Sequence, residues 1–313
     1  MIKRLLAALG LLTCIMAGYV FIARPYQLHW GATAEEQSAD MPGDELVAEP
    51  DFFATRAITI AGTPEDIWPW LIQMGYNRAG FYGYDILENL GSDRGLHSAK
   101  RILPQYQEFQ VGDAVPISSV HEMKFYAIEP NEYLIWSGTD DEGSFLWALQ
   151  PVDATHTRLI SRIRWSYDWS QPQSLGLTLF TEFTDHLAVR EILRGVKGRV
   201  EGSNESMARQ NAEFALFVVA ALVFLVSLVL LLFRPLNWPR WLAGLGAGVA
   251  WLVTWYAPVA LWVGVVITLL AFFGLLRTHQ MRAHLKRDAA TDDSPDVPEV
   301  APENTPRRSS DSV

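Results

Sequence analysis

The sequence predicts an α+β domain in which an antiparallel sheet surrounds a long C-terminal helix, flanked by about four transmembrane helices. Three observations predict this architecture. Charge-free apolar runs cover residues 5–23, 214–233 and 241–276. Between residues 111 and 165 apolar residues alternate with a period of two, which is typical of strands. From about 174 to 199 they follow a helical period instead.

The apolar runs set the boundaries of the predicted membrane segments. A bilayer core about 30 Å thick needs about 20 apolar residues in a helix, so the longest run holds two helices divided at Pro258. The first run favours an uncleaved anchor over a signal peptide because no small-x-small cleavage pattern is present. The predicted segments are an anchor or signal peptide over 1–23, transmembrane helices over 214–234, 241–257 and 259–276, and a disordered tail over 288–313.

The distribution of Lys and Arg predicts the orientation of these segments. With four spans, the basic clusters near 3–4, 234–240 and 277–287 fall on one side. Both termini are therefore expected in the cytoplasm, and the middle domain outside, in a multi-pass plasma-membrane protein. Five basic residues disagree, because they precede the second span on the outer side: Arg190, Arg194, Lys197, Arg199 and Arg209.

Composition excludes several classes of function. The net charge is −10, and residues 24–213 hold 15 Lys/Arg against 28 Asp/Glu. This balance argues against nucleic acid, because such binding depends on Lys and Arg at phosphates. Cys14 is the only cysteine, so the sequence offers no disulfide framework and no thiolate zinc site. Neither a phosphate-binding glycine loop nor a Gly-x-Ser-x-Gly or His-Glu-x-x-His motif occurs, and no cofactor or metal is expected.

Residues 51–202 carry the predicted domain, and 24–50 form a partly ordered linker before it. Thr63-Pro64 followed by two acidic residues is a strong helix start, and Gly75 ends that helix. A complete two-layer core is expected within 51–202, so this part should fold without its anchors. The remaining predicted elements are strands over 52–60, 112–116, 124–128, 133–137, 145–150 and 157–165, and helices over 84–90 and 174–199.

A family resemblance follows from a run of specific residues. The run 73–85 has the sequence Gln-Met-Gly-Tyr-Asn-Arg-Ala-Gly-Phe-Tyr-Gly-Tyr-Asp, and Leu-Glu-Asn follows at 87–89. His-Ser-Ala-Lys-Arg-Ile-Leu-Pro at 97–104 and Val-Gly-Asp at 111–113 continue the match. This pattern resembles a branch of the SRPBCC (START-like, polyketide-cyclase/dehydrase-like) superfamily over about 55–201. The resemblance implies a helix-grip fold, and the flanking membrane helices depart from the soluble pattern of that superfamily.

The resemblance also implies a cavity between sheet and long helix that binds a hydrophobic small molecule or lipid. We expect Arg78 at its mouth to meet an anionic or carbonyl head group. Alternatively, Arg78 pairs with Asp85 or Glu88, and the nearby glycines only supply positive φ angles. The expected ligand-binding residues are Tyr76, Arg78, Tyr82 and Tyr84 in the loop and Trp68 and Trp147 in the wall.

Two rival functions remain open at this point. A cyclase or hydrolase would use His97 with Asp85 or Glu88, because His titrates near neutral pH. A protein-interaction or sensor domain of a membrane complex is the other alternative. Glu182 and His186 stand at i and i+4 of the closing helix, but a zinc site needs three or four ligands, so they are expected to be structural.

Overall fold

The computed structural model describes residues 6, 9–10, 13–14, 16–85, 97–138, 143–167, 169–170, 174–203, 207–233 and 262–270. Most of the predicted helix over 84–90 therefore lies outside the described residues. The same holds for the predicted span over 241–257, for half of the span over 259–276 and for the tail over 288–313.

Six antiparallel strands form a single sheet. They are β1 (Phe52–Ala61), β2 (Ala114–Pro116), β3 (Glu122–Glu129), β4 (Tyr133–Ser137), β5 (Gly143–Pro151) and β6 (His156–Trp165). Their order across the sheet is β1-β6-β5-β4-β3-β2, so the first strand pairs with the last at one edge and β2 forms the other edge. The period-two pattern predicted all six strands to within two residues at each end, and the predicted antiparallel sheet is confirmed.

The described residues also form five α-helices. They are α1 (Arg24–Leu28), α2 (Ala34–Ser38), α3 (Pro64–Ile72), α4 (Ser174–Val200) and α5 (Met207–Phe233), with 3-10 turns at Asp44–Val47 and Pro104–Tyr106 and a π-helical turn at Tyr19–Ala23. The long helix α4 packs against β1 and α3. The arrangement of a six-stranded antiparallel sheet around one long helix is of the helix-grip type, as predicted.

Helix α3 shows how local sequence places an element. The backbone N–H and the hydroxyl of Thr63 both donate to Asp66 Oδ2 at 3.0 Å, which caps the helix start. Pro64 occupies the first helical position, where its missing N–H costs nothing. Ile67 and Leu71 are fully buried and join the inner core beneath the sheet.

The outer face of the sheet is covered by residues 30–48, the segment predicted as a partly ordered linker. Its Met41 packs against Ala57, Ile135 and Ile160, which point away from the long helix. Helix α2 in this segment begins at a capping box between Thr33 and Glu36. The segment is therefore a third layer of the fold, and the sheet is buried on both faces.

Three arginines of β6 attach this layer to the sheet. Arg158 binds Glu36 with its Nε at 2.6 Å, and Arg162 binds Asp44 with its Nη1 at 2.7 Å. Arg164 donates its Nε to the carbonyl of Val47 at 2.7 Å. All three arginines occupy outward positions of β6, on the same face as Ile160.

The start of α5 packs on the domain rather than leaving it directly. The ring of Phe214 lies 5.6 Å from that of Tyr84, and the rings of Phe217 and Phe183 stack at 5.5 Å. Within the residues that the structure describes, no helix combines the length and apolar composition needed to cross a bilayer.

An isolated domain should need the outer layer for its full stability. A fragment over 51–203 would leave Ile135, Ile160 and three arginines without their cover, contrary to the expectation that 51–202 suffices. We predict that a fragment over 24–203 unfolds cooperatively and is more stable than the shorter one by at least about 2 kcal/mol, since burial of one Leu- or Met-sized side chain contributes about 1.5–3 kcal/mol. Urea unfolding followed by circular dichroism measures both; equal stabilities would show that the outer layer contributes nothing.

Candidate functional site

An apolar cavity of about 430 Å³ lies between the inner face of the sheet and α4. Apolar and aromatic side chains dominate its wall, with a small number of polar groups among them, which is the usual composition of a small-molecule site. Its lining residues are Phe52, Phe81, Tyr84, Ile117, His121, Met123, Trp136, Phe145, Trp147, Ile163, Trp165, Thr181, Asp185, Ala188, Val189 and Ile192.

Strand register assembles the aromatic part of this wall. Trp136 of β4 pairs directly with Phe145 of β5, and Trp147 follows two residues later on the same face. The rings of Phe145 and Trp147 stack at 5.0 Å, and Trp136 meets Trp147 edge-on at 5.6 Å. Three large rings from two strands therefore form one continuous surface that an apolar ligand can contact.

The wall also carries one carboxyl group that the sequence analysis did not select. Asp185 Oδ2 accepts a hydrogen bond of 2.6 Å from Arg56 Nη1. Arg56 comes from an inward position of β1 and is 1% exposed, so its charge depends on this partner. Burial raises the pKa of the Asp185 carboxyl, while the Arg56 guanidinium acts in the opposite direction.

The N-terminal segment completes the cluster around this ion pair. The carbonyl oxygen of Gln27 accepts from Arg56 Nε at 2.8 Å and from His186 Nδ1 at 3.0 Å. Arg24 binds both oxygens of Glu182, at 2.6 and 2.7 Å. Glu182 and His186, the predicted i, i+4 pair, therefore bind different partners, Arg24 and the Gln27 carbonyl. Both contacts attach helix α1 to α4.

His186 is held in its neutral form by its surroundings. Burial, together with the charges of Arg56 and Arg190, lowers the pKa of His186 to about 2. Since its Nδ1 faces the carbonyl of Gln27, that nitrogen carries the proton of the neutral ring. Near the same helix, burial and the carboxylate of Glu191 raise the pKa of the Tyr84 hydroxyl.

The six predicted ligand-binding residues lie in different places. Trp147 and Tyr84 line the cavity. Trp68 is buried in the inner core against Phe109, with ring centroids 6.5 Å apart. The Tyr82 hydroxyl donates to the carbonyl of Trp70 at 2.9 Å, so it serves the core as well.

The glycine-rich loop does not place Arg78 or Tyr76 in the cavity wall. Arg78 Nη2 donates to the carbonyl of Ile72 at 2.9 Å, which satisfies the C-terminal end of α3. Its guanidinium lies 5.0 Å from the centre of the Tyr106 ring. The backbone N–H of Tyr76 donates to the carbonyl of Pro116 at 2.7 Å. The loop therefore joins α3 to the sheet edge, a structural role different from the expected contact with a head group.

Of the three residues named for the enzyme alternative, His97 and Asp85 lie close together. His97 Nδ1 lies 3.4 Å from Asp85 Oδ2, but the His97 side chain is 64% exposed. Asp85 also accepts from the backbone N–H and the hydroxyl of Ser98, at 3.1 and 2.7 Å. Asp85 borders a separate polar groove of about 350 Å³ rather than the apolar cavity. Glu88 lies outside the described residues.

Of the residues that form the cavity region, sequence reasoning selected Tyr84 and Trp147 but not, among others, Arg56, Asp185, Trp136 and His121. Arg56 had a detectable signal, because it interrupts the apolar alternation of β1 at an inward position. Asp185 is a charged residue close to the apolar stripe of α4, which is a comparable signal. Trp136 belongs to a group of six tryptophans that were predicted mostly as core with some available for a pocket, and nothing in the sequence separates it from the others. His121 had no detectable signal.

No family model matches the sequence, and no curated protein matches it. Among solved structures the chain is similar to protein MLL2253 from Mesorhizobium loti, at 14% identity over 49% of this chain and 100% of that chain, with a TM-score of 0.30. It is similar to the polyketide-cyclase-like protein Cgl2372 from Corynebacterium glutamicum, at 14% identity over 51% and 88%, with a TM-score of 0.23. It also matches the di-domain ARO/CYC StfQ from the steffimycin biosynthetic pathway, at 13% identity over 48% and 50%, with a TM-score of 0.30. At this identity each likeness is one of fold alone.

The depressed pKa of His186 predicts a pH dependence of stability. Below the unfolded-state pKa near 6.5, His186 takes up a proton in the unfolded chain but not in the folded chain. The free energy of unfolding therefore falls as pH falls. Between pH 7 and 5.5 this residue should cost about 1 kcal/mol of unfolding free energy. His186→Asn, whose amide N–H still reaches the Gln27 carbonyl, should remove that part of the slope. Chemical unfolding at several pH values tests this; identical slopes for both proteins would contradict it.

Proposed function

We propose that the chain is a membrane-anchored protein of the SRPBCC type whose domain binds a hydrophobic small molecule or lipid near the bilayer. The residue pattern over 73–113 supports the family assignment, and the helix-grip arrangement is consistent with it. The observation that carries the proposal is the cavity of about 430 Å³ with its continuous aromatic surface. Water gains few hydrogen bonds from such a wall, so filling it with an apolar molecule is favourable.

Ligand binding is tested by filling the cavity from α4. Ala188 lines the cavity, and Ala188→Phe adds a ring there. We expect this variant to weaken binding of the neutral apolar probe N-phenyl-1-naphthylamine at least tenfold, measured by probe fluorescence, with little change in melting temperature. Mass spectrometry of the purified unaltered chain should in addition detect a copurified apolar molecule.

The matched control for this experiment is the same substitution at an exposed position. Ala154 lies in the turn between β5 and β6 and is exposed. Ala154→Phe should leave probe binding unchanged. Equal binding by both variants and the unaltered chain would contradict the cavity as the binding site.

Membrane anchoring, the other half of the proposal, rests mainly on the sequence. The runs over 5–23 and 214–233 contain no charge. In α5, the described side chains that follow the packed rings and are exposed are apolar: Val218, Val219, Leu222, Leu225, Val226 and Val229. Because Tyr84 contacts both Phe214 of α5 and the cavity, a molecule dissolved in the bilayer would have a short path to the site.

The five basic residues that disagreed with the proposed orientation have partners in the domain. Arg194 pairs with Glu191 at 3.3 Å, Lys197 with Glu201 at 2.9 Å and Arg209 with Glu213 at 3.8 Å. Arg199 donates to the carbonyl of Ala99 at 2.8 Å, and Arg190 to the Tyr84 hydroxyl at 3.4 Å. These contacts give each of the five residues a partner, and the external orientation is proposed from the basic clusters at 3–4, 234–240 and 277–287.

Orientation is tested by labelling single cysteines in a Cys14→Ala background. Ala154→Cys in the domain should react with an impermeant thiol reagent in intact cells, because the domain is proposed to be external. Ser294→Cys in the C-terminal tail should react only after the cells are permeabilised. The opposite pattern would overturn the orientation, and labelling of both positions in intact cells would overturn the even number of spans.

A further inference from the structure

The carboxyl group of Asp185 is a strongly polar group in an otherwise apolar wall. Its side chain is 13% exposed, and the residue borders the cavity together with Trp147 and Val189. A carboxyl group in such surroundings costs free energy unless each of its oxygens finds a partner. The hydrogen bonds of Asp185 therefore show which of its oxygens is available to a ligand.

Only one of the two oxygens is engaged by the residues that the structure describes. Oδ2 accepts from Arg56 Nη1 at 2.6 Å, and Oδ1 has no hydrogen bond from any described residue. The 2.6 Å contact with the Arg56 guanidinium favours the ionised carboxylate, whose oxygens accept hydrogen bonds and cannot donate them. A ligand group that binds Asp185 Oδ1 must therefore be a hydrogen-bond donor.

The charge at this point is already balanced. Arg56 is 1% exposed, and its Nε is occupied by the carbonyl of Gln27 at 2.8 Å. Arg56 and Asp185 together carry no net charge. A ligand bearing an ammonium or a carboxylate would bring an uncompensated charge into the apolar cavity, which is costly, whereas a neutral hydroxyl brings none.

We propose that Asp185 Oδ1 accepts a hydrogen bond from a hydroxyl group of the bound molecule, so that the cavity takes neutral hydrophobic alcohols or phenols. The aromatic surface of Trp136, Phe145 and Trp147 contacts the apolar body of the ligand. This inference rests on the proposed ligand-binding function and narrows it, since it rejects the anionic head group that the sequence suggested at Arg78.

The test compares four ligands of one chain length on the unaltered full chain. Dodecan-1-ol has a donor, 1-methoxydodecane lacks it, dodecanoic acid is anionic and dodecylamine is cationic. Each displaces N-phenyl-1-naphthylamine, and the alcohol should bind about 10- to 100-fold tighter than the ether, as expected for a hydrogen bond to a charged group. The acid and the amine should also bind more weakly than the alcohol.

A double variant assigns this preference to the ion pair. Arg56→Met combined with Asp185→Leu removes both charges and keeps similar volumes, an exchange that buried ion pairs often tolerate. The alcohol-to-ether ratio should fall to about one, while the ether still binds. The control is Arg24→Met with Glu182→Leu, a second ion pair on α4 that does not border the cavity, and it should leave the ratio unchanged.

The outcomes separate this inference from the function on which it rests. Equal binding of alcohol and ether by the unaltered chain, or tighter binding of the acid, would overturn the hydroxyl assignment and leave the carrier function standing. A preference for the alcohol that survives in the double variant would overturn the role of Asp185. If neither the probe nor any of the four ligands binds, the ligand-binding function itself is wrong. The comparison on the unaltered chain decides the ligand class even if the double variant does not fold.

Discussion

The ion pair between Arg56 and Asp185 is the constraint on which the rest of the structure depends. Arg56 occupies an inward position of β1, where a charge without a partner would cost several kcal/mol. Its two partners come from α4 and from the carbonyl of Gln27, at 2.6 and 2.8 Å. One side chain therefore fixes the sheet, the closing helix and the N-terminal segment relative to one another, and it places a carboxyl group at the cavity wall.

Burial on both faces of the sheet follows from the N-terminal segment. The chain passes from α1, which is attached to α4, across to the outer face, where the arginines of β6 hold it. The strand and helix periodicities predicted the sheet and α4 because each element keeps one apolar side. They did not predict the outer layer, because residues 30–48 are rich in Ala, Gly, Asp and Glu, and the outward arginines of β6 resemble a solvent-exposed face.

The residues of the candidate site were likewise predicted only in part. Tyr84 was selected as part of the glycine-rich loop, and Trp147 because a chain with 12 tryptophans has several available for a cavity wall. Arg78 was assigned to the cavity mouth on the strength of its glycine neighbours, yet it binds the carbonyl of Ile72 at the end of α3. Asp185 and Arg56 were overlooked because their pairing depends on strand register and on the rotation of α4, neither of which one sequence contains.

Taken together, the inner face of the sheet provides an aromatic surface and the ion pair provides one polar contact. We propose that a hydrophobic molecule occupies the space between them. An experimental structure of the full chain saturated with dodecan-1-ol tests this most directly. The account predicts ligand density against Trp136 and Trp147, with the hydroxyl oxygen about 2.6–3 Å from Asp185 Oδ1. A cavity collapsed onto its own side chains, or a ligand bound elsewhere, would contradict it.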